Sequence, residues 1–418
     1  MPVDFPTFLT QLNDALVAEN GLNLAYLLRP TSPHGKDLVK QFRNPTRATF
    51  NHYQGSIQSP WDDIAIQYVM TCSHVARRRP MEAFKEHTQL VSLFFRFFTE
   101  NRGWTLPALF SILRDLRDLA FDADSFAKYN NLKGESMEEA ARVIAKAFGN
   151  CMTDRTSPLN ESRKWGVYYV VGLILKCYFR ASHFLLLIQV KRISLSKSIL
   201  RALEANSDIP PLHMYPRSHQ VTYRYYIGML SFLNEDYAKS EEELTLAFYQ
   251  CHTGAQSNQE RILTYLLPLR ILKGHLPSQE LMDRFPTLKE LYHPFITAIR
   301  TGDISGYDRA LDDHEKTLLD LNLWITLEKA RELCLRGLFR RVWVASQKGS
   351  RVPISMFHSS LKISGIDVDE EEAECLVANM IYKGFMKGYI SHEKRMVVLS
   401  NTNAFPKLAE RSNPYGST

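Results

Sequence analysis

The sequence predicts a mainly α protein, with helices paired into a stack that is closed at its C-terminal end by three helices and a β-hairpin. Three observations carry that expectation. Strand signals are nearly absent before residue 350, apolar residues recur at three-to-four spacing from end to end, and only GYISHEKRMVVLS turns to β composition. The 418 residues are 45% hydrophobic and 11% aromatic, enough to bury a real core and to exclude collagen, coiled-coil rod and low-complexity readings. That length corresponds to about two to three domains.

The elements justify this in order. MPVDFPTFLTQLNDAL lacks the cationic start and apolar stretch of a secretion signal and reads as the opening of a folded helix. Phe8, Leu12, Ala15 and Leu16 form one buried helix face, and Val91, Phe94, Phe95 and Phe98 another. Breaks fall at Arg29 to Pro33, Gln54 to Trp61, Glu100 to Pro107, Asn206 to Pro216 and Cys251 to Gln259. The most apolar stretch, Val167 to Val190, is interrupted by Lys176, Arg180, His183 and Gln189, so two buried helices are expected there and no membrane span.

The proline-rich IPPLHMYPRS (Ile209 to Ser218) marks the main division. Beyond it, Tyr225, Gly228, Phe232, Asp236, Tyr237, Leu244 and Ala247 follow the spacing of a TPR-like helix-turn-helix, with Ser240 in the usual small-Ala place. A generic α-hairpin is the alternative, and it predicts the same helical stack. Leu338 to Gln347, Ser355 to Gly365 and a capping box at Asp369 and Glu372 opening a helix through Tyr382 supply three helices. Tyr389 to Ser391 and Met396 to Leu399 then flank the polar turn His392 to Arg395. Three helices and a hairpin is the order of a winged helix. The expected division is therefore 1–208 N-terminal helical repeats, 209–337 a TPR-like half, 338–400 a winged-helix half and 401–418 a flexible tail.

Catalytic strings are missing. There is no G-x-x-x-x-G-K-[ST], G-x-G-x-x-G after a strand, H-E-x-x-H or G-x-S-x-G. His314-Glu315 and His392-Glu393 lack the second histidine of a zinc helix. The pairs Asp62-Asp63 and Asp312-Asp313 are sequence neighbours, which do not face each other on a helix and read as solvated helix starts. Cys72, Cys151, Cys177, Cys251, Cys334 and Cys375 are scattered, with no C-x-x-C, and read as reduced, mostly buried thiols. No catalytic residue, metal or cofactor is expected, and the protein is read as a non-enzyme.

Charge is more informative. The chain carries 51 Lys and Arg against 45 Asp and Glu, a net +6 that permits phosphate partners without demanding them. Between Leu323 and Ser400, twelve bases face nine acids, five of them between Asp369 and Glu374. That acidic start disfavours major-groove reading by the third helix and suits the helix dipole. The bases cluster instead at Arg336, Arg340 and Arg341 and at Lys387, Lys394 and Arg395, a candidate phosphate track indifferent to base sequence. Solvated helix and turn positions are the plain alternative, and Arg77, Arg78 and Arg79 form a second cluster in a helix-to-helix turn.

Several strings together resemble one branch of the PCI family. They are DLRDLAFDAD (Asp115 to Asp124), SRKWG (Ser162 to Gly166), SHQVTYRYYIG (Ser218 to Gly228), YLLPLRILKGHLP (Tyr265 to Pro277) and ANMIYKGFMKGYISH (Ala378 to His392). The branch contains the PCI-domain subunit of the second transcription-export complex and fungal proteins described as signalosome subunit twelve. The resemblance runs from about Phe5 to Phe405, except that HFLLLIQVKRI (183–193) intervenes where the family pattern continues directly.

The resemblance implies a non-enzymatic scaffold in the nucleus, and also the cytoplasm, without membrane attachment. Its implied partners are a second PCI-domain protein, a small acidic disordered subunit, and RNA and double-stranded DNA bound largely independently of sequence. It implies a role coupling transcription to mRNA processing and export, with Arg336, Arg340, Arg341, Lys387, Lys394 and Arg395 as the nucleic-acid contacts. The alternative is a structural subunit of a signalosome-like or proteasome-lid-like assembly, whose basic residues meet acidic protein surfaces.

Overall fold

The computed structural model describes residues 3–42, 44–180, 197–408, Arg411 and Tyr415. Its chain divides into two compact units, Met1–Tyr223 and Arg224–Thr418. The division falls inside a helix, Arg217–Leu233, a little beyond the proline-rich stretch. The intervening stretch, 183–193, lies outside the described residues.

The first unit is helical among its described residues. It runs through α1 (Phe5–Val17), α2 (Gly21–Leu27), α3 (Pro33–Gln41), α4 (Trp61–Ala76), α5 (Pro80–Glu100), α6 (Leu106–Tyr129), α7 (Ser136–Met152), α8 (Val167–Arg180) and helical residues 197–204 (α9). Both sequence stripes face the core: Phe8, Leu12 and Ala15 are buried on α1, and Val91, Phe94 and Phe98 on α5. Aromatic packing joins the layers, with Phe8 stacked 5.2 Å from Tyr68 and Trp61 meeting Phe97 edge-on at 5.0 Å. Asp62 and Asp63 lie in the first turn of α4 as expected. Among the described residues no helix is long and apolar enough to cross a membrane.

Several of the shared strings prove to be joints. In DLRDLAFDAD, the two carboxylate oxygens of Asp124 accept from Ser136 N at 2.8 Å and Met137 N at 3.0 Å, fixing the start of α7. In SRKWG, Ser162 Oγ and Arg163 N both donate to Asp154, while Arg163 donates to Phe98 O and Thr99 O at the end of α5. Burial opposes the ionisation of Asp154, but its hydrogen bonds outweigh that cost and lower the pKa to about 2.

The second unit contains the rest of α10 (Arg217–Leu233), then α11 (Tyr237–Gln250), α12 (Gln256–Leu272), α13 (Gln279–Arg284), α14 (Pro286–Thr301), α15 (Ile304–Asp320) and α16 (Trp324–Ala345). The helical-repeat spacing is realised in side chains. Phe232, Tyr237, Leu244 and Ala247 are buried, and Gly228 sits so close to α11 that a Cβ there would lie 2.6 Å from Leu244. Ser240, the departure from the repeat pattern, is fully buried and its hydroxyl donates to Gly228 O at 2.7 Å. Asp312 and Asp313 lie in the middle of α15, exposed to solvent, and not at a helix start.

The closing module is a winged helix. It uses the end of α16, then β1 (Arg351–Pro353), α17 (Ile354–Ile363), α18 (Glu370–Tyr382), β2 (Gly388–Ser391) and β3 (Met396–Leu399). The sheet order is β1-β3-β2, both pairs antiparallel, with Val352 opposite Val397 and Ile390 opposite Val397 on the other side. Phe339 of α16 packs 5.1 Å from Phe357 of α17 in its core. Two features differ from expectation. The first helix of the module is no separate helix, because α16 continues unbroken from the stack, and β1 went unforeseen because three residues leave no alternating pattern.

Candidate nucleic-acid interface

The six bases singled out from sequence are all in the second unit, and the structure sorts them by what holds each one. Arg336, Arg340 and Arg341 project from the C-terminal half of α16, a 22-residue helix that places the three guanidinium groups within two turns. Together with Arg300 of α14 they line an open groove of about 550 Å³ floored by Leu276, Ile299, Leu333 and Val344. Arg300 escaped the sequence reading because nothing within AIRTGD marks it, and only the packing of α14 on α16 brings it to the groove.

Arg340 and Arg341 are exposed, and Arg341 donates to the backbone oxygen of Arg300 at 3.1 Å. Arg336 is half-buried and donates to Pro406 O at 2.8 Å, with its guanidinium carbon 5.9 Å from the centre of the Phe405 ring. Burial lowers its pKa to about 10, and the neighbouring Arg340 and Arg411 charges add to that. It nevertheless stays protonated at neutral pH, and the carbonyl it meets leaves its charge uncompensated.

Lys387 stands at the entry to β2 and Lys394 and Arg395 at the hairpin tip, four strand residues further on. At about 3.3 Å per residue the two ends of β2 are on the order of 10 Å apart. Lys387 and Lys394 are exposed. Among the described residues no carboxylate lies within ion-pair distance of Arg340, Arg341, Lys387 or Lys394. Arg395 differs, because it pairs with Glu370 at 2.8 Å, while His392 meets Glu374 at 2.9 Å.

These pairs correct the expected segregation of charge. The acidic start of α18 does not stand away from the hairpin tip but is bonded to it, since the fold lays the turn 392–395 against residues 370–374. The Asp369–Glu372 capping box is present in both directions, 2.7 Å and 3.0 Å, so the acids also serve the helix start as expected. Among the described residues no three His, Cys, Asp or Glu side chains gather into a metal-holding group. Five cysteines are buried and Cys375 is exposed, and burial pushes the thiols of Cys72, Cys151, Cys177 and Cys334 up to about 12.

Comparison with known proteins agrees with this architecture. The model of the PCI domain matches residues 311–401, from within α15 to the end of the hairpin. The chain is 35% identical over 428 residues to the Protein CSN12 homolog of Schizosaccharomyces pombe, covering 97% of this chain and 98% of the relative. It is 36% identical to the Protein CSN12 homolog of Mycosarcoma maydis, covering 85% and 86%. PCI domain-containing protein 2 of Xenopus laevis is 30% identical over 407 residues, covering 96% of this chain and 97% of the relative.

Proposed function

Since the chain belongs to the PCI-domain family, whose members are scaffold subunits of multi-subunit complexes, we propose that this scaffold binds RNA and DNA and couples transcription to mRNA processing and nuclear export. In this reading it works without catalysis or cofactor, in the nucleus and also the cytoplasm, with a second PCI-domain protein and a small acidic subunit. The observation that carries the reading is the set of exposed bases without acidic partners among the described residues, Arg340, Arg341, Lys387 and Lys394. Such groups displace the cations condensed on a nucleic acid's phosphates and need no base contact to do so. Arg336 and Arg395 join the track as secondary members, each already engaged within the chain.

The test is titration of a labelled single-stranded RNA with the full chain across a range of salt. Replacing Arg340, Arg341, Lys387 and Lys394 together by Gln is expected to weaken binding at least tenfold at low salt and to flatten the salt slope by ~0.7 per lost phosphate contact. An unchanged affinity and slope would refute the assignment. The alternative, a signalosome-like or lid-like structural subunit, draws support from relatives carrying the name CSN12 homolog. Affinity purification from nuclease-treated nuclear extract separates the two, since an assembly scaffold recovers a stoichiometric set of signalosome or lid subunits. The nucleic-acid platform instead recovers a PCI partner, the small acidic subunit and export factors.

A further inference from the structure

The segment after the hairpin, expected to fray, is seated on the second unit wherever it is described. Lys387 N donates to Ala404 O at 2.9 Å, and the Phe405 ring lies 5.5 Å from Trp343 of α16. Pro406 then takes the hydrogen bond from Arg336. Leu408 rests on Gly274, whose φ of +81° and lack of a side chain make the seat, because a Cβ there would lie 2.3 Å from Leu408 Cδ1. Further anchors are Arg411, 3.8 Å from the centre of the Phe385 ring, and Tyr415, whose hydroxyl donates to Glu241 with Lys273 Nζ 5.2 Å from its ring.

This segment lies between the two basic clusters, bonded to Lys387 at one end and to Arg336 two residues on. It also walls the arginine groove, which Leu408 lines beside Arg340 and Arg341. We propose that residues 404–408 form an autoinhibitory strap over the arginine groove, holding Arg336 to a backbone carbonyl and away from phosphate until the strap is released. The proposal rests on the nucleic-acid reading above.

Three features favour a strap that opens over a permanent seam. Ala404 and Pro406 are buried, but the two large side chains, Phe405 and Leu408, are only half-buried, so the apolar grip is partial. Arg336 stands one helical turn from the like charge of Arg340 on α16 and near that of Arg411, a repulsion that a polyanion would relieve. A carbonyl supplies one acceptor, whereas a phosphate offers several oxygens and a full charge to the same guanidinium.

The experiment compares four proteins for binding to a labelled 20-nucleotide single-stranded RNA: the full chain, the chain ending at Ala404, and each with Arg336→Gln. Phe405→Ala with Leu408→Ala serves as a second release variant, and circular dichroism and thermal melting check that each is folded. Release is expected to tighten binding about three- to tenfold at low salt and to steepen the salt slope by ~0.7, one further phosphate contact. Arg336→Gln should abolish that gain, and a peptide of residues 401–418 added to the truncated chain should restore the weaker binding.

If release leaves affinity unchanged or lowers it while the quadruple Gln variant still weakens binding, the strap is refuted and the nucleic-acid reading stands. If no form binds RNA at any salt concentration, the nucleic-acid reading itself falls and the strap's role falls with it.

Discussion

At residue 240 the chain departs from the helical-repeat pattern by a single hydroxyl, and the fold gives that hydroxyl the carbonyl of Gly228. The two residues form one contact, so they predict different costs. Gly228→Ala drives a methyl into Leu244 and is expected to cost about 1–3 kcal/mol through overpacking. Ser240→Ala loses one buried hydrogen bond and is expected to cost about 0.5–1.5 kcal/mol. Urea melts should show lower midpoints with unchanged m-values for both. Asp115 of α6 is a different kind of residue, with a buried carboxylate oxygen that finds no hydrogen-bond partner among the described residues. Burial raises its pKa to about 6, against the pull of Arg29 at 3.8 Å and of Arg114. Because the folded value exceeds the unfolded one of about 3.9, the native state takes up the proton more readily. That contribution to stability is complete below about pH 4 and lost as pH rises through about 6. Asp115→Asn should therefore be more stable than the parent near pH 8, by up to about 2 kcal/mol, with the difference closing at pH 4. A difference that did not vary with pH would remove the carboxyl as its source.

Among the elements, α18 carries the most legible signal and the least legible consequence. Its capping box could be read from Asp369 and Glu372, and Asp369→Ala is expected to lower stability by about 1 kcal/mol while Asp369→Asn leaves it nearly unchanged, as thermal unfolding would show. That the same helix start holds the hairpin tip could not be read, because Arg395 and Glu370 are 25 residues apart and belong to different elements. The Arg395–Glu370 pair is largely exposed and contributes little to stability. Its effect is on available charge. Glu370→Gln with Glu374→Gln is expected to tighten RNA binding and steepen its salt dependence by releasing the tip, and weaker binding would exclude Arg395 from the interface. The continuity of α16 was hidden for a related reason, since Gly337, a residue that often ends helices, stands at the expected boundary of 337 and 338, and only the packing of α14, where a Cβ on Gly337 would lie 3.1 Å from Ile299 O, shows why it sits inside the helix.

At the scale of the whole molecule, the division into units falls within α10, at Tyr223 and Arg224, whereas the proline-rich stretch, Ile209 to Ser218, reaches only the first two residues of that helix. A fragment 209–418 keeps α10 whole and is expected to unfold cooperatively at a higher temperature than 224–418, which starts inside the helix, and equal melting would assign α10 no role in the second unit. What the sequence by itself determined is the order of helices, the repeat pair at 225–247 and the hairpin. Each of these rests on signals within a few residues, namely periodicity, caps and turn composition, which act before any long-range contact forms. Tertiary structure alone decided which of the six bases are open to solvent. Arg336 is held by a carbonyl 70 residues away and Arg395 by a carboxylate from another helix, while Arg300 reaches the groove from α14. Charge is a local property of sequence, but its availability depends on partners that only the folded chain brings within hydrogen-bond distance.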